Sequence, residues 1–240
     1  MKKSSDIITP NLRIIPDFLS RDEIDFWLTL FHDEQSWDGG LEAGRGRFMT
    51  SESIVYSDHY LDAYHALLEK VCSYLETIYE EPLVVLHTPS FRKYQTGDSI
   101  GWHFDFSRDG DGEVLQLREE TRRPGENSPY PAGLHDMQTV LYFNDDYEGG
   151  LVRFGEGDWI QPKAGMLITW PSTHKYGHGV SEITSGERYI SAMFWMRAKT
   201  FVLASLGDLI DSEWRDWLMW PEKIDVMFGN PIEVDDASVS

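Results

Sequence analysis

The run Trp102-His103-Phe104-Asp105-Phe106 alternates an aromatic residue with a possible metal ligand. On a β-strand successive side chains point to opposite faces. His103 and Asp105 therefore share one face and the three aromatics the other. An imidazole and a carboxylate side by side can bind a divalent ion, but two ligands hold it weakly and a third is needed. The chain has eight histidines. His32, His59 and His65 fall in stretches of helical spacing, His87 lies well before the pair, and His135 lies in an irregular stretch. His174 and His178 are left. His178 sits between Gly177 and Gly179, where missing side chains let a ligand or a backbone approach closely.

Two imidazoles and one carboxylate bind one face of an ion and leave the other open, a set suited to non-haem Fe(II). His-x-Asp alone carries little weight, since its plainer reading is a surface strand with two polar residues. Arg188, ten residues after His178, adds more. On an alternating strand it shares a face with Ile190, Ala192 and Phe194. An arginine directed into an apolar barrel is costly unless an anion meets it. A bound dicarboxylate would meet it with bidentate geometry; an internal Asp or Glu is the other possible partner.

These residues need a framework. Ser20-Arg21-Asp22-Glu23 is a capping box, with Leu19 and Ile24 at the staple positions. Ile24, Trp27, Leu28 and Phe31 follow at helical spacing. A second helix is expected from about Asp58 to Tyr79, with a stripe of Leu61, Tyr64, Leu67, Leu68, Val71, Cys72 and Leu75. Asp38 to Arg47 is glycine-rich and reads as a loop. From Pro82 the pattern turns to short β-branched and aromatic runs: Leu83–His87, Phe91–Tyr94, Ile100–Phe106, Gln138–Asn144, Leu151–Phe154, Trp159–Gln161, Met166–Trp170, Gly177–Ile183 and Arg188–Met196. Turn signals separate them, Asn144-Asp145-Asp146 and Glu148-Gly149-Gly150 among them. Many short strands without α/β alternation imply a barrel or a double-sheet jelly roll. Ser107 to Asp136 interrupts the strands as a long insert of the kind that tends to be functional. Ile210, Trp214, Trp217 and Leu218 mark a last helix, followed by an acidic tail from Glu233.

The chain has 240 residues, 41% of them hydrophobic, which suits one large domain. Its net charge of −20 repels phosphate backbones and argues against nucleic-acid partners. No run reaches the roughly 18 apolar residues of a membrane span, and no signal-like run follows Met1. A cytoplasmic protein is expected. Cys72 is the single cysteine, so no internal disulfide can form, and its apolar neighbours mark it as a core residue.

Taken in order, Phe91-Arg92-Lys93-Tyr94-Gln95-Thr96-Gly97, His103-Phe104-Asp105, Val140-Leu141-Tyr142-Phe143-Asn144-Asp145, Glu148-Gly149-Gly150, His178-Gly179-Val180 and Arg188-Tyr189 resemble the prolyl 4-hydroxylase-like branch of the 2-oxoglutarate/Fe(II) dioxygenases. The resemblance covers roughly residues 11 to 197. It implies a mainly β fold with flanking helices, a double-stranded β-helix (jelly roll, cupin-like) with N-terminal helices and a C-terminal helix. The expected layout is a single domain: residues 1–80 a helical support, 82–197 the β-helix core with the insert 107–136, and 198–240 the C-terminal helix and tail. The resemblance implies Fe(II) on His103, Asp105 and His178, with Arg188 on the distal carboxylate of 2-oxoglutarate. Tyr94 and Tyr142 match positions whose hydroxyls assist there. It further implies O2 as oxidant, ascorbate as an accessory reductant, and hydroxylation of an amino acid, a peptidyl residue or a small molecule with release of succinate and CO2. Asp105 favours hydroxylation, because related halogenases carry Gly or Ala there. The insert and the C-terminal helix, with its three tryptophans, depart from the branch and bear on the substrate. The insert, which follows directly on the His103–Asp105 strand, is expected to be a lid or substrate-recognition loop beside the iron; decoration on the outside of the barrel is the competing view. A non-oxidative cupin-like barrel that binds a metal or a sugar is the competing reading. It would need the ligands but not an inward Arg188.

Overall fold

A computed structural model describes residues 11–33, 37–38, 47–49, 58–85, 90–103, 136–172 and 174–198. Helix α1 (Arg21–Asp33) starts where the capping box places it. The Ser20 N–H donates to Glu23 Oε2 at 2.7 Å and the Glu23 N–H to Ser20 Oγ at 3.3 Å. Leu19 and Ile24 are both buried, as a hydrophobic staple requires. The entry is pinned from the sheet side, because the Leu19 N–H donates to the Gly165 carbonyl. Gly165 has φ +78°, and a Cβ there would lie 2.9 Å from the Leu19 carbonyl oxygen, so the close approach needs glycine. Helix α2 (Asp58–Tyr79) buries Tyr64, Leu67, Leu68, Val71, Cys72 and Leu75 along one stripe. Cys72 is a core residue.

Eight described strands form one antiparallel sheet. They are β1 (Arg13–Ile15), β2 (Trp37–Asp38), β3 (Arg47–Met49), β4 (Leu83–Val85), β5 (Ser90–Gln95), β7 (Met137–Tyr142), β10 (Leu167–Pro171) and β13 (Glu187–Arg197). Their order is β1-β10-β7-β13-β5-β3-β2, with β4 beside the end of β13. Facing this sheet are β6 (Ile100–His103), β11 (His178–Val180) and β9 (Val152–Phe154), paired in that order, and the pair β12 (Ile183–Ser185) with β8 (Glu148–Gly149). Strands distant in sequence are thus neighbours in space. This is the double-stranded β-helix, mainly β with flanking helices.

The large sheet separates two cores, and side-chain alternation decides which residue enters which. Tyr189, Met193 and Trp195 of β13 join Met137 and Leu141 of β7 and Leu167 of β10 in the core under α1 and α2. Ile190 of β13, Tyr142 of β7, Ile168 and Trp170 of β10 and Tyr94 of β5 join Val152, Phe154 and Ile183 in the core between the sheets.

Several sequence expectations differ from this architecture. The first 80 residues hold β1, β2 and β3 as well as the two helices. Strands of two or three residues carry no readable period, and they are held by the edges they extend. Trp159–Gln161 is not a strand: Ile160 makes a lone bridge to Val152, and Pro162 has no N–H to continue a ladder. Gly177–Ile183 is broken: β11 carries a register shift against β6 between His178 and Val180 and stops at Val180, and a separate β12 begins at Ile183. Glu148-Gly149, read as part of a turn, pairs with β12. Asp105, most of the insert 107–136, and the C-terminal helix of Ile210, Trp214, Trp217 and Leu218 lie outside the described residues. Among the described residues no helix is long and apolar enough to cross a membrane.

Candidate active site

His103 ends β6 and His178 begins β11, and the two are direct partners across that antiparallel pair. Their ring centroids are 4.3 Å apart. The Nδ1 of His103 lies 2.8 Å from the Gly101 carbonyl and the Nδ1 of His178 lies 3.0 Å from the Tyr176 carbonyl. A carbonyl oxygen only accepts, so both Nδ1 atoms carry the proton and each Nε2 bears the lone pair. A backbone carbonyl on the far nitrogen is the usual way a ligating histidine is oriented. His178 is 6% exposed. Its ring is walled by Trp170 at 4.9 Å and Phe154 at 5.3 Å, which themselves meet edge to face at 4.9 Å.

Two imidazoles with matching tautomers, converging from paired strands, suit a divalent transition metal. Among the described residues no group of three or more His, Cys, Asp or Glu forms a complete metal site; Asp105, expected as the third ligand, is outside them. His174 starts the short 3-10 turn His174–Tyr176 that leads into β11.

Arg188 lies on the same inner face as Ile190 and is 1% exposed. Its strand partner across β5 is Tyr94, and the guanidinium carbon sits 4.3 Å over the Tyr94 ring. Nη1 donates to the Gly150 carbonyl at 3.2 Å. Among the described residues no carboxylate meets the guanidinium, and its buried Nε has no hydrogen-bond partner. Among the described residues, then, no Asp or Glu balances Arg188. The hydroxyls of Tyr94 and Tyr147 are likewise buried without a partner. An unmade buried hydrogen bond is costly, so this group of donors fits an anion with several acceptor oxygens. Tyr142 pairs with Ile190 on the adjoining strand. Burial raises its hydroxyl pKa above the ordinary range, against the opposing pull of Arg188. Its hydroxyl is a neutral donor.

Sequence reasoning placed Tyr94, Tyr142 and Arg188 around one anion, and the structure brings all three to the inner face. It missed Tyr147, Phe154 and Trp170. Tyr147 was hidden in a turn, where no period says which way a side chain points. Phe154 and Trp170 were readable as inner-face strand residues, but nothing in their spacing tied them to His178. Gly150 was read as a turn residue and as part of the family resemblance, without a tie to Arg188. It has φ +61°, and a Cβ on it would sit 2.5 Å from Ile183 Cδ1, 3.0 Å from Tyr147 Cε2 and 3.3 Å from Arg188 Nη1. Only glycine fits between these three side chains.

Residues 89–197 match the family model of the 2OG-Fe(II) oxygenase superfamily. Prolyl 3-hydroxylase 2 of Rattus norvegicus is 38% identical over 66 residues, 25% of this chain and 9% of that protein. The matched part of the chain thus spans a small fraction of that relative's length. A PKHD-type hydroxylase of Acinetobacter baumannii is 27% identical over 199 residues, covering 77% of each chain. A Pseudomonas putida prolyl-4-hydroxylase of known structure superposes with a TM-score of 0.52 at 17% identity, covering 78% of this chain and 93% of that one. At that identity the likeness is one of fold.

Proposed function

We propose that the chain is a 2-oxoglutarate/Fe(II) oxygenase of the prolyl 4-hydroxylase-like branch, and that it hydroxylates an unactivated C–H bond of an amino acid, a peptidyl residue such as proline, or a small molecule; the match of residues 89–197 to the superfamily model supports the first part. The observation that carries this reading is Arg188. A buried, uncompensated guanidinium with unpartnered donors around it is a receptor for a terminal carboxylate. A barrel that merely stored a metal or bound a sugar would have no use for it.

In this reading His103, Asp105 and His178 hold the metal, and Arg188 takes the far carboxylate of 2-oxoglutarate with Tyr94 and Tyr142 beside it. The chemistry Fe(II) supplies when bound is a coupled oxidation: one atom of O2 enters the C–H bond as hydroxyl, the other enters succinate, and 2-oxoglutarate loses CO2. The protein's part is geometry and exclusion of water. The carbonyls of Gly101 and Tyr176 hold the two imidazoles in register. Trp170 and Phe154 shield the His178 ring from solvent. Arg188, anchored on Gly150 and Tyr94, fixes the end of the co-substrate away from the metal. Ascorbate would serve as accessory reductant, and the site of action would be the cytoplasm.

The test is anaerobic loading with Fe(II) and 2-oxoglutarate, then exposure to O2 with candidate free amino acids, proline-containing peptides and small molecules. Succinate release that rises with one class, with a mass gain of one oxygen on that compound, supports the reading. No 2-oxoglutarate binding to the metal-loaded protein would overturn it.

A further inference from the structure

The mechanism above leaves Tyr147 unused. It lies in the loop between β7 and β8, at 7% exposure, with its hydroxyl buried and unpartnered. A hydroxyl in that state calls for an explanation, since folded proteins satisfy nearly all such groups. The ring carbon Cε2, next to the carbon that bears the hydroxyl, packs against Gly150, as Arg188 Nη1 does: a Cβ on that glycine would lie 3.0 Å from the first and 3.3 Å from the second. The hydroxyl-bearing edge of Tyr147 and the guanidinium therefore meet on the same glycine.

We propose that the Tyr147 hydroxyl is a direct donor to the far carboxylate of 2-oxoglutarate, completing a three-donor floor with Arg188 Nε and the Tyr94 hydroxyl. This rests on the reading of Arg188 given above. The donor count supports it. One Nη1 hydrogen goes to Gly150; Nε–H and the hydroxyls of Tyr94 and Tyr147 are buried donors without a partner, and a carboxylate offers about four lone-pair positions on two oxygens to receive such a set. A neutral ligand would satisfy the hydroxyls but leave the arginine charge uncompensated. The hydroxyl also stays protonated: burial pushes its pKa up to about 12, against Arg188 and with the help of Asp145 and Asp146. The plainer role, space filling, would be met equally by phenylalanine.

The experiment compares the Mn(II)-loaded wild-type chain with Tyr147→Phe by calorimetry, using 2-oxoglutarate and 2-oxobutyrate, which lacks the far carboxylate. The expected result is about tenfold to hundredfold weaker 2-oxoglutarate binding, the range for a hydrogen bond to a charged group. Binding of 2-oxobutyrate should be unchanged, and the free protein should melt no lower, because an unpartnered hydroxyl has been removed. Unchanged 2-oxoglutarate affinity, or equal weakening of both acids, overturns the assignment. Arg188→Lys separates the two layers. If it too leaves 2-oxoglutarate binding intact, the pocket itself has been misread; if it abolishes binding while Tyr147→Phe does not, only Tyr147 falls.

Discussion

Asn144 grips the backbone on both sides of Arg188. Its Nδ2 donates to the Glu187 carbonyl at 2.7 Å, and its Oδ1 accepts the Tyr189 N–H at 2.8 Å. The same Nδ2 donates to Asp146 Oδ1 at 2.6 Å, so one buried amide ties the turn that carries Tyr147 to the strand that carries Arg188. Asn144→Ala leaves a buried N–H and carbonyl without partners. The expected loss is about 2–3 kcal/mol of stability, read as a lower denaturant midpoint. The 2-oxoglutarate requirement should rise more than the Fe(II) requirement. Equal changes in both would mean that Asn144 serves the fold alone.

For the metal, His103→Ala, Asp105→Ala and His178→Ala should each abolish Fe(II)-dependent turnover while the protein stays folded by circular dichroism. His178→Ala also removes the ring between Trp170 and Phe154, so it should melt lower than His103→Ala. A variant with near-wild-type activity at ordinary iron concentration would remove that residue from the ligand set.

Arg188→Ala should raise the 2-oxoglutarate requirement several-hundred-fold or more, given the roughly 3–5 kcal/mol for breaking a buried charge pair. The iron requirement should move little. Titration of both under single-turnover conditions gives the answer, and an unshifted 2-oxoglutarate curve would refute the role.

The capping box has a pH signature. Burial alone would raise the Glu23 carboxyl, but Lys70 and the Ser20 N–H and hydroxyl outweigh it and hold the pKa below 4.5. Lys70 Nζ lies 2.7 Å from Glu23 Oε1, joining α2 to the start of α1. A carboxyl lowered on folding contributes stability that is full above its unfolded pKa and lost as pH falls through its folded pKa. Glu23→Gln should therefore flatten the decline in stability below about pH 4.5 and narrow its gap to wild type there. Both side chains are partly exposed and screened, so the effect is modest. Urea midpoints at several acidic pH values that fall in parallel for both proteins would exclude it.

Helix α2 was legible from its stripe over Asp58–Tyr79, because many turns of one period leave little ambiguity. The α1 start was legible because Ser20 and Glu23 have a specific reciprocal use. Arg188 could be placed inward from alternation alone, and the structure shows that side of β13 lining the barrel. Tyr94 and Tyr142 were legible only through the family resemblance. Edge strands as short as Trp37–Asp38 and Glu148–Gly149 had no such signal, since tertiary pairing alone makes them strands. Tyr147 was opaque because a turn has no periodicity, and its direction depends on Gly150 and Asn144 through contacts that only the folded chain brings about.

The large sheet is a partition wall, and β13 runs through its middle. Odd-numbered side chains such as Tyr189, Met193 and Trp195 belong to the helix side, whereas Arg188, Ile190 and their even-numbered neighbours face the barrel. The residues of the helix-side core and the residues that face the proposed binding chamber therefore alternate along one strand without sharing a core. Substitutions at even positions can reshape the chamber while the helix-side core keeps the strand in register. A lineage built on this wall can explore new substrates by point mutation, without first rebuilding its foundation.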